Sequence, residues 1–286
     1  MSRIAYVNGR YLPHRDAAVH IEDRGYQFAD GVYEVCEVAQ GNLMDATRHL
    51  DRLDRSLREL RIGWPMHRSA LAVVMREVVN RNGVRNGLVY VQVTRGVASR
   101  DFVFPEKTAP SLVVTAKKVD PGFAARRAET GIKVITLPEN RWDRVDIKSV
   151  GLLPNVLAKQ SAKEAGAQEA WFVDTDGFVK EGGSSNAWIV TTDGCLVTRP
   201  AEHGILRGIT RTTLFEVAAE LGLRIEERGF SVAEAKAARE AFISSATTIA
   251  MPVVEIDGAP IANGYPGSVV QSLRQAFFDV AEKTPA

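Results

Sequence analysis

Cysteine is nearly absent: Cys36 and Cys195 are the two thiols in 286 residues. Two thiols build neither a disulfide framework nor a four-thiolate metal site, so both are expected to be free and buried in a reducing compartment. Histidine is scarce as well. His14, His20, His49, His67 and His203 show no ligand spacing such as H-x-x-x-H, which argues against a metal enzyme. Neither sign of charge dominates, with 36 basic and 35 acidic residues and a formal net charge of +1. That balance supplies no electrostatic reason for a nucleic-acid or anionic-membrane partner. No apolar run approaches the ~20 residues of a membrane span. The first residues, Met1 to Tyr11, lack the apolar run of about 7–15 residues that marks a signal peptide. The expected location is the cytoplasm. Internal repeats and low-complexity tracts are missing too.

What remains is the composition of an ordinary globular protein, 45% hydrophobic and 25% charged, long enough for one large or two ordinary domains. Asn8-Gly9, Asp176-Gly177, Asp193-Gly194 and Asp257-Gly258 are hairpin signals. Residues 31–38 alternate and read as a strand, as do 88–94 and 111–116. Leu50, Leu53, Leu57 and Leu60 share one face of a helix over 48–61. Ser69 is expected to cap a second helix that carries Leu71, Val74, Met75, Val78 and Val79 and stops before Gly83. Residues 117–130 hold Pro121, Gly122 and several charges without a clear period. Beyond them lie strands at 132–137, 170–173 and 187–191 and helices at 154–165, 210–221 and 268–282. Ser231 to Glu234 forms a capping box. Mixed order with several hairpins predicts two α+β domains and argues against an all-parallel sheet. The expected division is a small α/β domain over 1–118, a linker over 119–130 and a larger domain over 131–286.

The chemistry starts from Lys148, in Arg-Trp-Asp-Arg-Val-Asp-Ile-Lys-Ser (141–149), and from Glu181, in Glu-Gly-Gly-Ser-Ser-Asn (181–186). A lysine able to form a Schiff base and a carboxylate able to bind a ring nitrogen are what a pyridoxal-phosphate enzyme needs. Such a lysine spends part of its cycle neutral, which requires a partly desolvated site, and it then carries a proton between carbons. For a phosphate, Gly208-Ile209-Thr210 stands immediately before a helix, where backbone N–H groups and a hydroxyl can hold an anion. Ser244 to Thr248, after a short apolar strand, is a second such cup, and Arg52 is a possible clamp. An ordinary cap, a plain turn and a surface arginine are the competing readings. For a substrate carboxylate, Arg95 and Arg100 lie on a loop after a strand and offer bidentate forks, or are simply solvated. Tyr33 is a ligand hydroxyl or a half-buried core tyrosine.

Taken together, several stretches make the chain resemble the fold-type IV pyridoxal-phosphate enzymes of the class IV aminotransferase family. They are Glu22 to Val35 (Glu-Asp-Arg-Gly-Tyr-Gln-Phe-Ala-Asp-Gly-Val-Tyr-Glu-Val), His49-Leu-Asp-Arg-Leu53, Val93-Thr-Arg-Gly96, Asp146-Ile-Lys-Ser149, Leu157-Ala-Lys-Gln160, Glu181 to Asn186, Ile205 to Arg211 and Val254 to Gly258. Within that family the chain looks most like the D-amino-acid aminotransferases. The resemblance implies a small N-terminal α/β domain, a larger barrel-like C-terminal domain, a homodimer, and pyridoxal 5'-phosphate held by Lys148. It implies that Glu181 faces the ring nitrogen and that Arg52, Ile209, Thr210 and Thr247 hold the phosphate. Ser185, Asn186, Leu206 and Gly208 join them as cofactor-binding positions. Tyr33, Val35, Arg100 and Phe102 line the substrate site, with Tyr33 and Arg100 in the carboxylate trap. One departure stands out: D-amino-acid enzymes pair that arginine with a histidine two residues on, and here the position is Phe102, which cannot donate a hydrogen bond.

The expected activity is ping-pong transfer of an amino group from a D-amino acid to a 2-oxo acid. A branched-chain L-amino-acid aminotransferase, an (R)-amine transaminase and an aminodeoxychorismate lyase share the fold and are the alternatives. An inactive binding homologue is the alternative from another class, and the presence of both Lys148 and Glu181 counts against it.

Overall fold

The computed structural model describes residues 3–202 and 204–286. Met1 and His203, which figure in the N-terminal and histidine readings, lie outside them. The chain divides into two compact units. One takes the N-terminal stretch to Pro121 with Ile147–Gly151 and Glu282–Ala286; the other takes Gly122–Asp146 and Leu152–Ala281.

In the first unit, strands β1 (Ile4–Val7), β2 (Arg10–Pro13), β3 (Gly31–Ala39), β4 (Asn42–Met44), β5 (Gly87–Thr94) and β6 (Ser111–Lys118) join the C-terminal strand Lys283–Pro285 in a seven-stranded sheet. The spatial order is C-terminal strand, β4, β3, β5, β6, β1, β2, and every neighbouring pair is antiparallel. Helices α1 (Arg24–Phe28), α2 (Ala46–Glu59) and α3 (Arg68–Arg81) complete it. The two-residue period of β3 sends Val32, Cys36 and Val38 into a core with Leu50, Leu53 and Leu57 of α2 and Leu71, Met75 and Val78 of α3. Tyr33 and Val35 project from the opposite face and are half-buried. The cap of α3 is His67, not Ser69. The His67 side chain accepts the Ser69 N–H, so an imidazole nitrogen does the work expected of the hydroxyl and the helix starts one residue before Ser69.

The second unit contains α4 (Pro121–Thr130, entered from the first), α5 (Leu153–Glu164), α6 (Ile209–Glu220), α7 (Val232–Ala237) and α8 (Ser268–Val280). Its strands are β7 (Ile132–Pro138), β8 (Glu169–Val173), β9 (Val179–Gly182), β10 (Asn186–Val190), β11 (Leu196–Thr198), β12 (Ile225–Glu227), β13 (Glu240–Ser245), β14 (Ile249–Ile256) and β15 (Ala259–Pro260). They form a nine-stranded sheet in the order β12, β11, β10, β13, β14, β7, β8, β9, with β15 on β14. β7 runs parallel to β8 and β14, and β11 to β12; the other pairs are antiparallel. Both units are therefore α+β. The four dipeptide turn signals each join antiparallel neighbours: β1–β2, β8–β9, β10–β11 and β14–β15. Ser231 caps α7 by accepting the Glu234 N–H.

The division differs from the one expected. Residues 121–130, within the expected linker, are helix α4, and Ala124 and Ala128 pack into the second unit's core. The helix buries alanines rather than leucines, so its sequence carries little apolar period. Two later segments also belong with the first unit, Ile147–Gly151 and the C-terminal strand.

Candidate functional site

Lys148 is held in the first unit by its backbone. Its carbonyl accepts the Tyr33 N–H at 3.0 Å, Val150 N–H reaches the Gly31 carbonyl at 3.0 Å, and Ser149 bridges Val32, so residues 148–150 run antiparallel to the start of β3. Ile147 anchors the segment in the core. The Lys148 ammonium lies over the Tyr33 ring, 4.3 Å from its centroid, and the side chain is half-buried. Among the described residues no hydrogen bond or ion pair claims that ammonium. Tyr33 itself stacks on Tyr90, centroids 5.6 Å apart, and burial pushes the Tyr90 phenol up to about 12.

Arg52, expected at the phosphate, sits on α2 with Nε and Nη2 on Glu34 Oε1 and Oε2 at 2.7 and 2.8 Å. His49 Nδ1 lies 2.7 Å from Glu34 Oε2. Burial pushes the Glu34 carboxyl up, but the Arg52 charge, its hydrogen bonds and His49 outweigh burial and hold it at about 2. The fork fixes the plane of the Arg52 guanidinium. Arg100 is exposed and meets no carboxylate among the described residues; its guanidinium lies 4.9 Å from the Phe28 centroid and 5.8 Å from that of Phe102. The two rings also touch, 5.5 Å apart. Val35 lies on the same half-buried face of β3 as Tyr33.

In the second unit, Glu181 is buried at the end of β9. Its Oε1 accepts from Arg141 Nη1 at 2.6 Å and its Oε2 from Asn186 Nδ2 and the Leu206 N–H, both at 3.0 Å. Burial raises its pKa above the ordinary carboxylate value, and the adjacent Arg141 guanidinium opposes that rise. An ionised carboxylate offers about four acceptor positions. Three are used by these bonds, which leaves room for one more donor. Asn186 also donates to the Leu206 carbonyl at 2.8 Å, so Asn186 and Leu206 act on Glu181. Ser185, expected at the cofactor, donates its hydroxyl to Glu169 Oε2 at 3.1 Å, beside Ser184 at 3.0 Å. Glu169 thereby secures the turn between Glu181 and Asn186.

Helix α6 opens on Gly208 without a side-chain cap, followed by buried Ile209 and Thr210. A Cβ on Gly208 would stand 2.1 Å from Asn186 Oδ1, so only glycine fits that approach. Thr247 is exposed in the turn between β13 and β14, its hydroxyl 3.2 Å from Ser245 Oγ.

The structure thus brings together Lys148 with Tyr33, Arg100 with Phe102, and Glu181 with Asn186 and Leu206. Sequence reading gave no role to Glu34, His49 or Arg141, though each stands in a quoted motif, and did not single out Glu139 or Glu169. Glu34 alone had a local signal, a charge on the inward, apolar face of an alternating strand. Taken unit by unit, the residues suit pyridoxal phosphate: in the first, a half-buried amine with no polar partner among the described residues; in the second, a buried carboxylate with an open acceptor position and an uncapped helix N-terminus for an anion. Among the described residues no group of three or more His, Cys, Asp or Glu is placed to hold a metal, and no helix is long and apolar enough to cross a membrane.

The chain is 39% identical over 270 residues to a D-alanine aminotransferase of Bacillus licheniformis, covering 94% of each chain. It is 37% identical over 273 residues to that of Staphylococcus haemolyticus, covering 95% of each. A branched-chain amino acid aminotransferase from Escherichia coli shares the fold, with a TM-score of 0.89 at 24% identity over 98% of this chain and 94% of that one. A hypothetical aminotransferase from Mycobacterium tuberculosis in its PLP-bound form gives a TM-score of 0.83 at 26% identity, over 96% of this chain and 98% of that one. Residues 31–256 match the model of amino-transferase class IV, and the chain belongs to the class IV aminotransferase family.

Proposed function

We propose that the protein is a pyridoxal-phosphate-dependent transaminase that takes the amino group of D-amino acids such as D-alanine and passes it to a 2-oxo acid, 2-oxoglutarate or pyruvate. The observation that carries this reading is the Lys148 ammonium, half-buried over the Tyr33 ring with no polar partner among the described residues. The similarity to D-alanine aminotransferases over nearly the whole of both chains supports the choice of substrate. The proposed assembly is a homodimer, and the proposed location the cytoplasm.

The Tyr33 ring face holds the Lys148 side chain in place without occupying its nitrogen in a hydrogen bond or ion pair among the described residues. Lys148 would act as the nucleophile and, once free, as the base that takes the α-proton and returns it to the cofactor carbon on the other side of the transferred nitrogen. When bound, pyridoxal phosphate supplies a carbonyl for the amine and a ring that accepts the electron pair left by the departing proton. Glu181 would hold the ring nitrogen through its open acceptor position. Ile209, Thr210, Thr247 and Arg52 would bind the phosphate, by the helix N-terminus, the hydroxyls and the guanidinium. Arg100 would take the α-carboxylate, and Tyr33, Val35 and Phe102 would line the substrate side. Ser185 and Gly208 support these groups, the first through Glu169 and the second by admitting Asn186.

One observation favours a second reading. Arg100 rests against Phe28 and Phe102, and Phe102 has no hydrogen bond to add to a carboxylate trap. That environment suits substrates with less dependence on the carboxylate, as an (R)-amine transaminase would use. The test is a half-reaction on cofactor-loaded protein with D-alanine, L-leucine or (R)-1-phenylethylamine, following the absorbance of the bound cofactor. Bleaching with D-alanine alone supports the proposal. Bleaching with the amine or L-leucine but not D-alanine overturns the substrate and leaves the cofactor chemistry standing.

A further inference from the structure

Arg141 is the least expected charge in the second unit. It follows β7 on a loop, yet its side chain is only 5% exposed, as is that of Glu181. Its guanidinium is divided between two carboxylates. Nη1 goes to Glu181 Oε1 at 2.6 Å, while Nε and Nη2 take Glu139 Oε1 and Oε2 at 2.9 and 2.7 Å. The Arg141 backbone N–H also donates to Glu139 Oε1, at 2.9 Å. Lys180 Nζ approaches Glu139 Oε2 at 3.4 Å, and the Phe172 ring covers the guanidinium at 4.3 Å. Two anions and two cations balance within the cluster.

Glu139 is not a second partner for whatever meets Glu181; it orients Arg141. A three-point grip, two side-chain bonds and one backbone bond, leaves the guanidinium one direction in which to present Nη1, and Glu181 lies in it. The other donors to Glu181, an amide and a backbone N–H, are neutral. Arg141 is therefore the formal positive charge bonded to it. A buried carboxylate held only by neutral donors takes up a proton more readily, because desolvation penalises its charged form.

We propose that Arg141, oriented by Glu139, is a positioning residue that keeps Glu181 ionised and aimed, and so sets the affinity and protonation of a ring nitrogen bound there. This rests on the reading of Glu181 as the ring-nitrogen partner. Glu181 with its proton on offers a donor where a protonated ring nitrogen needs an acceptor. With Arg141 in place, its charge opposes the rise that burial causes, and the carboxylate would offer an acceptor to a protonated ring nitrogen.

The experiment is a double-mutant cycle on the full chain, reading the dissociation constant of pyridoxal phosphate by fluorescence at a series of pH values from mildly acid to mildly alkaline. The variants are Arg141→Met, Glu181→Gln and the pair together. Arg141→Met is expected to weaken binding roughly ten- to a hundredfold, the factor for one lost charged hydrogen bond, and more at the acid end than at the alkaline end. In the Glu181→Gln background the same change should have little effect and add no pH dependence. An equal effect in both backgrounds would mean that Arg141 acts on the loop alone and would overturn the proposal. If Glu181→Gln by itself left binding and the absorbance of the bound cofactor unchanged, the Glu181 reading would fail first, and the proposal with it. Should Arg141→Met not fold, Glu139→Gln takes its place. It leaves the Arg141 charge but loosens its orientation, and the same background-dependent loss, smaller in size, is expected. Its absence would count against the proposal.

Discussion

The ammonium of Lys148 stands 4.3 Å from the centroid of the Tyr33 ring, and the two residues are tied again through the backbone, Tyr33 N–H to Lys148 carbonyl. Among the described residues the lysine has no acid partner beside this ring contact, and the main-chain contact fixes its backbone against β3. Reactive amine and aromatic neighbour are thus set by one register.

Replacing Lys148 by alanine removes a cation–π contact and, among the described residues, no side-chain hydrogen bond, so the cost in stability should be about 1 kcal/mol or less. Activity should fall by several orders of magnitude, to the limit of detection, and the absorbance of the lysine-bound cofactor should vanish. Thermal unfolding and a spectrum of the same sample check both halves. A normal spectrum in that variant would sink the assignment.

Glu34 makes stability depend on acid pH. Its folded pKa, about 2, lies below the ordinary 4.5, so the unfolded chain binds more protons between those values. The contribution, on the order of 3 kcal/mol, is complete above the unfolded value and disappears as pH falls from about 4.5 to about 2. Denaturant titrations over that range should show a shallower slope in Glu34→Gln than in the parent. At neutral pH the variant should be less stable by about 3–5 kcal/mol, because Arg52 is left buried without its carboxylate.

Arg100→Ala should lower kcat/KM for D-alanine roughly ten- to a hundredfold and change simple amines little. Equal losses on both substrates would show that Arg100 does not bind the carboxylate. Phe102→His gives the loop back a donor and should raise kcat/KM for α-amino acids over amines by about tenfold, the worth of one modest hydrogen bond.

Gly208→Ala places a methyl group 2.1 Å from Asn186 Oδ1. Asn186 is bonded at its amide nitrogen to Glu181 and to the Leu206 carbonyl, so moving it breaks the support of the carboxylate. Cofactor affinity should fall by about tenfold or more, one such bond's worth. Unchanged affinity would show that Asn186 yields without disturbing Glu181.

What was legible in the sequence was whatever repeats locally. The period of 2 in β3, the leucine stripe of α2 and the dipeptide turns each follow from a few adjacent residues, and the structure has them. The motifs around Lys148 and Glu181 were readable for the same reason, since each is a short run. Helix α4 escaped because it buries alanine and little else. Phe102 announced a missing donor, but not its contact with Phe28 and Arg100.

The sequence by itself determined the type of those elements that carry a clear apolar period, the family motifs and which residues are able to do the chemistry. Only the tertiary structure decided which charge answers which. Arg141 meets Glu181 across 40 positions, Arg52 meets Glu34 across 18, and Ser185 turns to Glu169 across 16. Periodicity says which face of a strand or helix a side chain occupies; it carries no information about what the neighbouring strand brings opposite. That is set by strand register and chain closure, and inside a low-dielectric core register decides whether a carboxylate stays charged.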